Sequence, residues 1–157
     1  MAISVPKIKG AGGVLSVYAT SAYKPVICLT ESSHELVQNT IDTVTMCSDG
    51  NTEQTPISIT ETVNISGIVV DTTGSGGASP GETVDELKGR AKAQVTSGTP
   101  DTFRIARGAS GYLYFKAFLT NVSDTYPAEG YATFSATLQI QGNSSSTDPN
   151  AGGGGGT

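Results

Sequence analysis

The chain has 157 residues, a formal net charge of -5 and a pI near 4.7. This acidic balance argues against a protein whose main role is to grip nucleic acid, which needs basic residues gathered on one face. A single histidine with Cys28 and Cys47 cannot build a Cys/His zinc cluster, and we expect both thiols to be buried or half-buried and reduced. No segment has the pattern of a signal peptide or approaches the length of a membrane span.

The first third of the chain predicts two strands followed by a long polar connection. Residues 1–13 form a short arm that ends in glycines, and residues 14–20 alternate apolar and polar side chains as a half-buried strand does. Residues 23–30 predict a second strand, with Pro25 at a sheet edge or among the first residues of the strand. Residues 31–56 are rich in Ser and Thr and lack a clean period, so we expect a long excursion with little structure of its own. A connection of that length usually has a function.

Residues 57–70 predict a returning strand with one polar and one apolar side. Glu61 interrupts the apolar side, and Gly67 predicts a bulge. The polar side, over residues 58–66, carries small hydroxyl and amide groups. The apolar side consists of Ile57, Ile59, Val63 and Ile65.

Residues 83–96 form the one convincing helix in the sequence. Thr83 and Glu86 match the capping box, in which a hydroxyl and a carboxylate satisfy backbone amides of the first turn. Gly98 then offers a stop. The expected buried face consists of Val84, Leu87, Ala91 and Val95.

The last part of the domain predicts a short strand at 102–107 and then a hairpin over residues 112–141. One face of its second strand carries Ala132, Phe134, Ala136, Leu138 and Ile140. The other face carries Thr133, Ser135, Thr137 and Gln139. Residues 143–157 predict a flexible Gly/Ser-rich tail. The order of elements predicts a mainly β domain over residues 14–142, an antiparallel β-sandwich or barrel with one flanking α-helix.

No pattern in the sequence predicts catalysis, a metal or a cofactor. His34 is the only histidine, and we expect it to be solvated or locally hydrogen-bonded. The glycine-rich run at 72–82 lacks the Gly-Lys-Ser/Thr ending of a phosphate loop. Asp49, Asn51 and Glu53 alternate as calcium ligands do but lack the downstream bidentate glutamate. We therefore predict that the chain is not an enzyme.

Four passages follow one another in a characteristic order. They are YKPVICLTESSHELVQNTIDTVTMCSDGN, the returning strand ISITETVNISGIVVD, the helix TVDELKGRAKAQVTSG followed by TFRIARG, and the hairpin FKAFLTNVSDTYPAEGYATFSATLQIQG. Together, over residues 14–142, they resemble the major tail (tail tube) proteins of long-tailed bacteriophages, especially the siphophage type. The resemblance implies the tail tube fold, which secretion and injection-system tubes share. In such proteins six-fold rings stack into a hollow tube that conducts DNA.

The resemblance also implies a location and a set of partners. It implies a structural protein of the virion tail, made in the host bacterial cytoplasm, with no membrane contact. The expected partners are further copies of the chain, the tape-measure, tail terminator and baseplate or tip proteins, and DNA that passes without specific binding. The excursion at 31–56 is expected to bridge subunits or rings. The expected contact residues are Glu31, Ser33, His34, Glu35, Asn39, Asp42, Asp49, Asn51 and Glu53.

Two polar stripes are candidates for the wall of such a channel, because hydroxyls, amides and scattered acids would not hold the phosphates of DNA. One stripe is Thr133, Ser135, Thr137 and Gln139, and the other is the polar side at 58–66. The sequence does not decide between them. The alternative function is an immunoglobulin-like or carbohydrate-binding β-sandwich on a virion or cell surface. That alternative explains the alternating strands but explains the capped helix and the absence of Trp less well.

Overall fold

A computed structural model describes residues 14–44, 47, 50–69, 81–108 and 111–151. Within these residues neighbouring strands pair antiparallel in a single sheet of order β2-β1-β5-β6-β7-β4-β3. The prediction of a mainly antiparallel β fold with one helix is confirmed. The elements are β1 (Leu15–Ala19), β2 (Ala22–Pro25), β3 (Leu29–Val44), β4 (Thr52–Ile68), α1 (Val84–Ser97), β5 (Asp101–Ala106), β6 (Tyr112–Thr125) and β7 (Thr133–Ser145).

The two edge strands of the sheet are neighbours in the chain, which forces the sheet to curl. β2 ends at Pro25 and β3 begins at Leu29, so the connection spans at most about 14 Å. In a flat seven-stranded sheet these edges would lie roughly 29 Å apart. Just before β3, the Ile68 amide of β4 donates a hydrogen bond of 3.0 Å to the Cys28 carbonyl oxygen. The concave face of the sheet therefore encloses the core.

The core consists of the alternating residues that the sequence predicts. Phe134, Leu138 and Ile140 of β7 are buried, and the rings of Phe103 and Phe115 stack across β5 and β6 with centroids 5.9 Å apart. β6 and β7 pair antiparallel, which confirms the predicted hairpin. One-sided burial of these strands produces the period of two in their sequences.

The helix α1 closes one side of the core and is capped as predicted. The Thr83 amide donates to Glu86 Oε2 at 3.0 Å, and the Glu86 amide donates to Thr83 Oγ1 at 3.4 Å. Val84 and Leu87 are buried as expected, whereas Val95 is 87% exposed. The predicted buried face is therefore wrong at its C-terminal end.

Gln94 occupies the buried position in the last turn that the sequence assigned to Val95. Its Nε2 donates to Asp101 Oδ2 at 2.7 Å and to the Ala117 carbonyl oxygen at 3.3 Å, and its Oε1 accepts from the Leu119 amide at 2.9 Å. β5 begins at Asp101, opposite Ala117, so no β5 residue faces Leu119. The side-chain amide of Gln94 therefore makes the hydrogen bonds to β6 that a neighbouring strand would otherwise make. This explains why a polar residue is buried at this position.

Residues 31–56 differ most from the prediction. Instead of an excursion with little structure, residues 31–44 and 52–56 belong to the two longest strands in the described part of the chain. β3 and β4 pair from Leu29↔Gly67 to Val44↔Thr52. Most side chains of this hairpin are exposed on both faces, so no one-sided burial imposes an apolar alternation on the sequence.

The chain end also carries more structure than the predicted tail at 143–157. β7 continues to Ser145, and the Tyr23 hydroxyl donates to Asp148 Oδ1 at 2.8 Å. Burial, and the Asp148 carboxylate, raise the pKa of Tyr23 to about 12. The segment that follows β7 is therefore tied to the edge strand β2.

The remaining predictions concern the termini and the cysteines. Residues 1–13 and 152–157 lie outside the described residues, so the N-terminal arm and the glycine-rich end stay predictions. Cys28 and Cys47 are free and exposed, so the expected burial of the thiols is wrong. Cys28 directly precedes β3, and Cys47 lies three residues after its end.

Gly67 lies where β4 passes very close to its neighbours. A Cβ at this position would lie 2.5 Å from the Cys28 carbonyl oxygen and 2.8 Å from the Phe134 ring. The register shift of this region lies on the partner strand, between Leu29 and Glu31. Gly67 is therefore required for close approach, and the bulge that it predicts belongs to β3.

Candidate functional site

A hairpin that leaves the sheet is the first candidate site. β4 pairs with β7 only from Thr62↔Gln139 to Ile68↔Thr133, whereas it pairs with β3 along its whole length. Toward the tip of the hairpin, β3 and β4 therefore have only each other as strand neighbours among the described residues. We call residues 36–44 and 52–60 the arm, and the remaining sheet with α1 the body.

Apolar side chains are exposed on both faces of the arm. Directly paired residues of an antiparallel sheet share a face, so Leu36 lies on the core-facing side with its partner Glu61. Leu36 is 54% exposed and Ile59, on the same side, is 55% exposed. Val37 and Ile41 lie on the opposite side and are also exposed. An arm that rested on a single surface would leave one of these apolar faces in water, and such faces mark interaction sites.

A groove of about 630 Å³ separates the arm from the end of β7. Ile57 and Ile59 line it on the arm, and residues 140–143 line it on β7. It forms because β4 and β7 diverge beyond their last pair, and each then presents a strand edge to the other. In the described residues no strand fills the space between these edges.

Glu61 lies at the root of the arm, one residue beyond the last β4–β7 pair, and is 5% exposed. Its Oε2 accepts hydrogen bonds from Ser144 Oγ at 2.7 Å and from His34 Nε2 at 2.9 Å. Burial raises the pKa of the Glu61 carboxyl, but the hydrogen bonds from Ser144 and His34 outweigh it. The resulting pKa lies below the ordinary value of 4.5, so the side chain is a carboxylate at neutral pH.

The Ser144, His34 and Glu61 side chains do not form a catalytic arrangement. The serine and the histidine both point to the same carboxylate oxygen, so the imidazole is not placed to take a proton from the hydroxyl. The expectation that His34 is locally hydrogen-bonded is confirmed.

The two polar stripes considered for a channel wall form one surface. β4 pairs directly with β7, with Asn64 opposite Thr137 and Ser66 opposite Ser135. Thr137 Oγ1 donates to Asn64 Oδ1 at 2.9 Å. The two alternatives are therefore parts of the same face of the sheet, on the side away from the core.

This polar face extends over β6 and β3. Ser123 Oγ lies 2.9 Å from Ser135 Oγ, and Ser33 lies opposite Asn64. The polar face comprises Asn121, Ser123, Thr133, Ser135, Thr137, Gln139, Thr62, Asn64, Ser66, Glu31, Ser33 and Glu35. Ile68, opposite Thr133, and Phe118, opposite Gln139, lie on the same side of the sheet, and Lys116 continues that side along β6. The two charged residues within the polar face are both carboxylates, so this part of the surface is hydroxyl-rich and acidic.

β3 presents the longest edge strand in the part of the chain that the structure describes. It is last in the strand order and has 16 residues. β2, at the other edge, has only four residues and is tied to the chain end through Tyr23. Because open edges pair readily with further strands, β3 is the main candidate for pairing with another chain.

The predicted contact residues fall into three groups. Three lie on the polar face: Glu31, Ser33 and Glu35. Three lie on the arm: Asn39, Asp42 and Glu53. Of the others, His34 joins Glu61 at the root of the arm, Asn51 is exposed just before β4, and Asp49 lies outside the described residues.

Sequence reasoning missed several residues that shape this site. For Glu61 the signal is present, since it is the lone acid on an otherwise apolar side of its strand. For the arm, the β-branched residues Ile41 and Val44 favour a strand. The polar residues around them prevent a regular alternation of apolar and polar positions from appearing in the sequence. Ser144 lies in a Ser-rich run whose composition predicts a flexible tail, so nothing local singles it out.

Solved structures that resemble this fold are parts of particle tails and tubes. The tail of an empty gene transfer agent particle with C6 symmetry superposes with a TM-score of 0.67 at 14% identity, covering 89% of this chain and 98% of that chain. The SPP1 tail tube gives 0.58 at 12% identity, with coverages of 87% and 77%. The sheath–tube complex of an extracellular contractile injection system, PVC, gives 0.59 at 15% identity, with coverages of 90% and 93%. No protein-family model and no curated protein sequence matches the chain.

These similarities show that the chain has the tail tube fold, as the sequence resemblance predicts. Among the described residues, α1 is too short and too polar to cross a membrane. The same residues contain no group of three or more His, Cys, Asp or Glu that could hold a metal ion.

Proposed function

We propose that the chain is the major tail tube subunit of a virion. In this proposal it forms hexameric rings that stack into a hollow conduit for DNA delivery into a host cell. The observation that carries the proposal is the arm, which exposes apolar side chains on both faces in a chain with the tail tube fold. Other copies of the chain would supply the surfaces that the arm lacks.

Within a ring, the open edge of β3 pairs with the sheet of the neighbouring subunit. Such pairing covers the long edge of β3, on which the described part of the chain places no further strand and which is otherwise a site for uncontrolled association. It also joins the polar faces of adjacent subunits into one continuous surface. The C6 symmetry of the gene transfer agent tail supports six subunits in each ring.

Between rings, the arm provides the reach that stacking requires. Its nine β3 residues, 36–44, extend about 30 Å at 3.3 Å per residue. This length exceeds that of the six β7 residues that continue past Gln139, so the arm extends further than its neighbouring strand. Asn39, Asp42, Asp49, Asn51 and Glu53 are the polar contacts that we assign to this interface, with Glu31, Ser33, His34 and Glu35 nearer the neighbouring subunit in the ring.

We assign the polar face to the wall of the channel. A basic wall would bind the phosphates of DNA strongly and independently of sequence, which would arrest a moving duplex. Hydroxyls, amides and the carboxylates of Glu31 and Glu35 offer no such attraction. Thr133, Ser135, Thr137 and Gln139 would face the lumen together with the paired residues of β4.

The remaining partners follow from the same role. A tube subunit in a virion tail meets a tape-measure protein in the lumen, a tail terminator at one end and baseplate or tip proteins at the other. It is made in the host cytoplasm, contacts DNA without specific binding and needs neither a membrane nor a cofactor. The acidic net charge of -5 suits a conduit for DNA.

Electron microscopy of the purified, concentrated protein tests the assembly. We expect tubes or stacked rings from the parent chain, and their loss in Leu36→Asp, which places a charge on an exposed apolar position of the arm. Leu36→Met is the matched control because it keeps the position apolar. Monomers at all concentrations in the parent chain, or normal tubes in Leu36→Asp, would contradict the proposal.

Helical reconstruction of those tubes tests the assignment of the channel wall. We expect Ser135 and Asn64 on the inner surface, since both lie on the polar face. A reconstruction that places the polar face on the outer surface would overturn this assignment while leaving the tube itself intact.

A further inference from the structure

Glu61 is a buried carboxylate on the side of β4 that faces the core, and neither the fold nor the channel explains it. The positions two and four residues further along, Val63 and Ile65, are buried and apolar. Burying a carboxylate is costly unless it is hydrogen-bonded or paired, and an apolar residue would continue the pattern at lower cost. A charge at this place therefore points to a role other than core stability.

We propose that Glu61, with His34 and Ser144, is a clasp that fixes the direction in which the arm leaves the body. His34 and Glu61 come from the paired strands β3 and β4 at the root of the arm, and Ser144 comes from β7, which separates from β4 at this point. Within the clasp, the Ser144–Glu61 bond joins β7 to the root of the arm just where backbone pairing between β4 and β7 has ended, and the His34–Glu61 bond ties the same carboxylate to β3.

The geometry of the contacts supports this role. Both hydrogen bonds end on the same atom, Glu61 Oε2, at 2.7 Å from Ser144 Oγ and 2.9 Å from His34 Nε2. A third bond of 3.3 Å runs from Gln139 Nε2 to the Glu61 carbonyl oxygen. Since the last β4–β7 backbone pair is Thr62↔Gln139, the bonds from Ser144 and Gln139 continue the attachment of β4 to β7 by one more residue.

A hydrogen-bonded charge fits a clasp better than an apolar contact does. Hydrogen bonds weaken steeply with angle, so they hold one orientation, whereas apolar packing is non-directional. Buried ionic groups often add little stability compared with apolar replacements but impose a specific arrangement. Without the clasp, we expect the arm to keep its own pairing and to sample a range of angles to the body.

This inference concerns the single chain and does not depend on tube formation. It is tested on the unassembled full-length protein at low concentration by electron–electron double resonance. The labels are placed at Val44→Cys on the arm and Val95→Cys on the helix, both highly exposed, in a background where Cys28 and Cys47 are replaced by Ser.

In the labelled parent chain we expect one narrow distance distribution. In Ser144→Ala and in Glu61→Leu we expect the width of this distance distribution to increase by about twofold or more, because the arm can then rotate about its root as about a hinge. Glu61→Leu is informative because it keeps the site buried and apolar, so that the melting temperature stays near the parent value or rises while the arm loses its fixed direction.

Ser145→Ala is the matched control, because it removes a hydroxyl one residue further on that accepts only from the Thr147 amide. Its distribution should stay as narrow as that of the parent chain. An unchanged distribution in Glu61→Leu, or equal broadening in Ser145→Ala, would overturn the clasp. Either result would leave the assignment as a tube subunit untouched.

Discussion

The two halves of β4 carry similar residues and have opposite environments. Val63 and Ile65 are buried in the core, whereas Ile57 and Ile59, in the same strand, are 64% and 55% exposed. The difference arises because β7 covers β4 only from Thr62 onward. Strand pairing therefore decides which apolar residues of β4 are buried in the subunit, and our proposal assigns the exposed ones on the arm to contacts with other copies.

The largest contrast should appear when an apolar side chain is removed from each half of the molecule. Phe134→Ala removes a buried ring from the body and should lower the free energy of unfolding by about 3–5 kcal/mol. Ile59→Ala, on the arm, should change it by no more than about 0.5 kcal/mol. Denaturant unfolding of the unassembled chain measures both. A large loss in Ile59→Ala would mean that the arm folds against the body.

A smaller effect should separate two glycines. Gly67→Ala forces a methyl group against the Cys28 carbonyl oxygen and the Phe134 ring, and should cost about 1–3 kcal/mol. Gly89→Ala lies in α1 with nothing within 4 Å of the added Cβ, and should stabilise by about 0.5–1 kcal/mol. Thermal denaturation compares them. Equal effects at the two positions would remove the evidence for close approach at the base of β3.

The smallest expected effect is on the pH dependence of the melting temperature under acidic conditions. Because the pKa of the Glu61 carboxyl is lowered in the folded chain, its charged form contributes stability that is present above about pH 4.5 and is lost as the pH falls through the folded-state pKa. The melting temperature of the parent chain should therefore fall more steeply on acidification than that of Glu61→Leu. Identical acid limbs in the two proteins would show that Glu61 carries no such linkage.

The contrast between body and arm also explains what the sequence predicts well. The hairpin of β6 and β7 and the capped helix are predicted correctly, because one face of each is buried and the caps use local contacts. The sequence does not predict β3, because its polar side chains in the run 31–43 are exposed on both faces and leave no period. The sequence predicts a tail in place of the end of β7, because the contact of Ser144 with Glu61 joins residues far apart in the chain.

The candidate site is less predictable than the fold for a similar reason. The polar stripes of β4 and β7 are each visible in the sequence, but their identity as one surface depends on strand pairing. The helical pattern predicts Val95 in the core, but Gln94 is buried there instead. No β5 residue faces Leu119, so the Leu119 amide donates to the Gln94 side chain, and the local sequence pattern cannot show this long-range contact. The shared polar face and the burial of Gln94 both depend on contacts between residues far apart in the sequence.

The most direct test of the account is to remove the arm and keep the clasp. Residues 38–59 are replaced by an Asn-Gly turn, which joins Val37 to its strand partner Thr60 as a two-residue hairpin. We expect a folded monomer with a melting temperature within a few degrees of the parent chain, and no tubes under the electron microscope at concentrations where the parent assembles. An unfolded product, or tubes as regular as those of the parent, would contradict the claim that the arm exists to be completed by other copies.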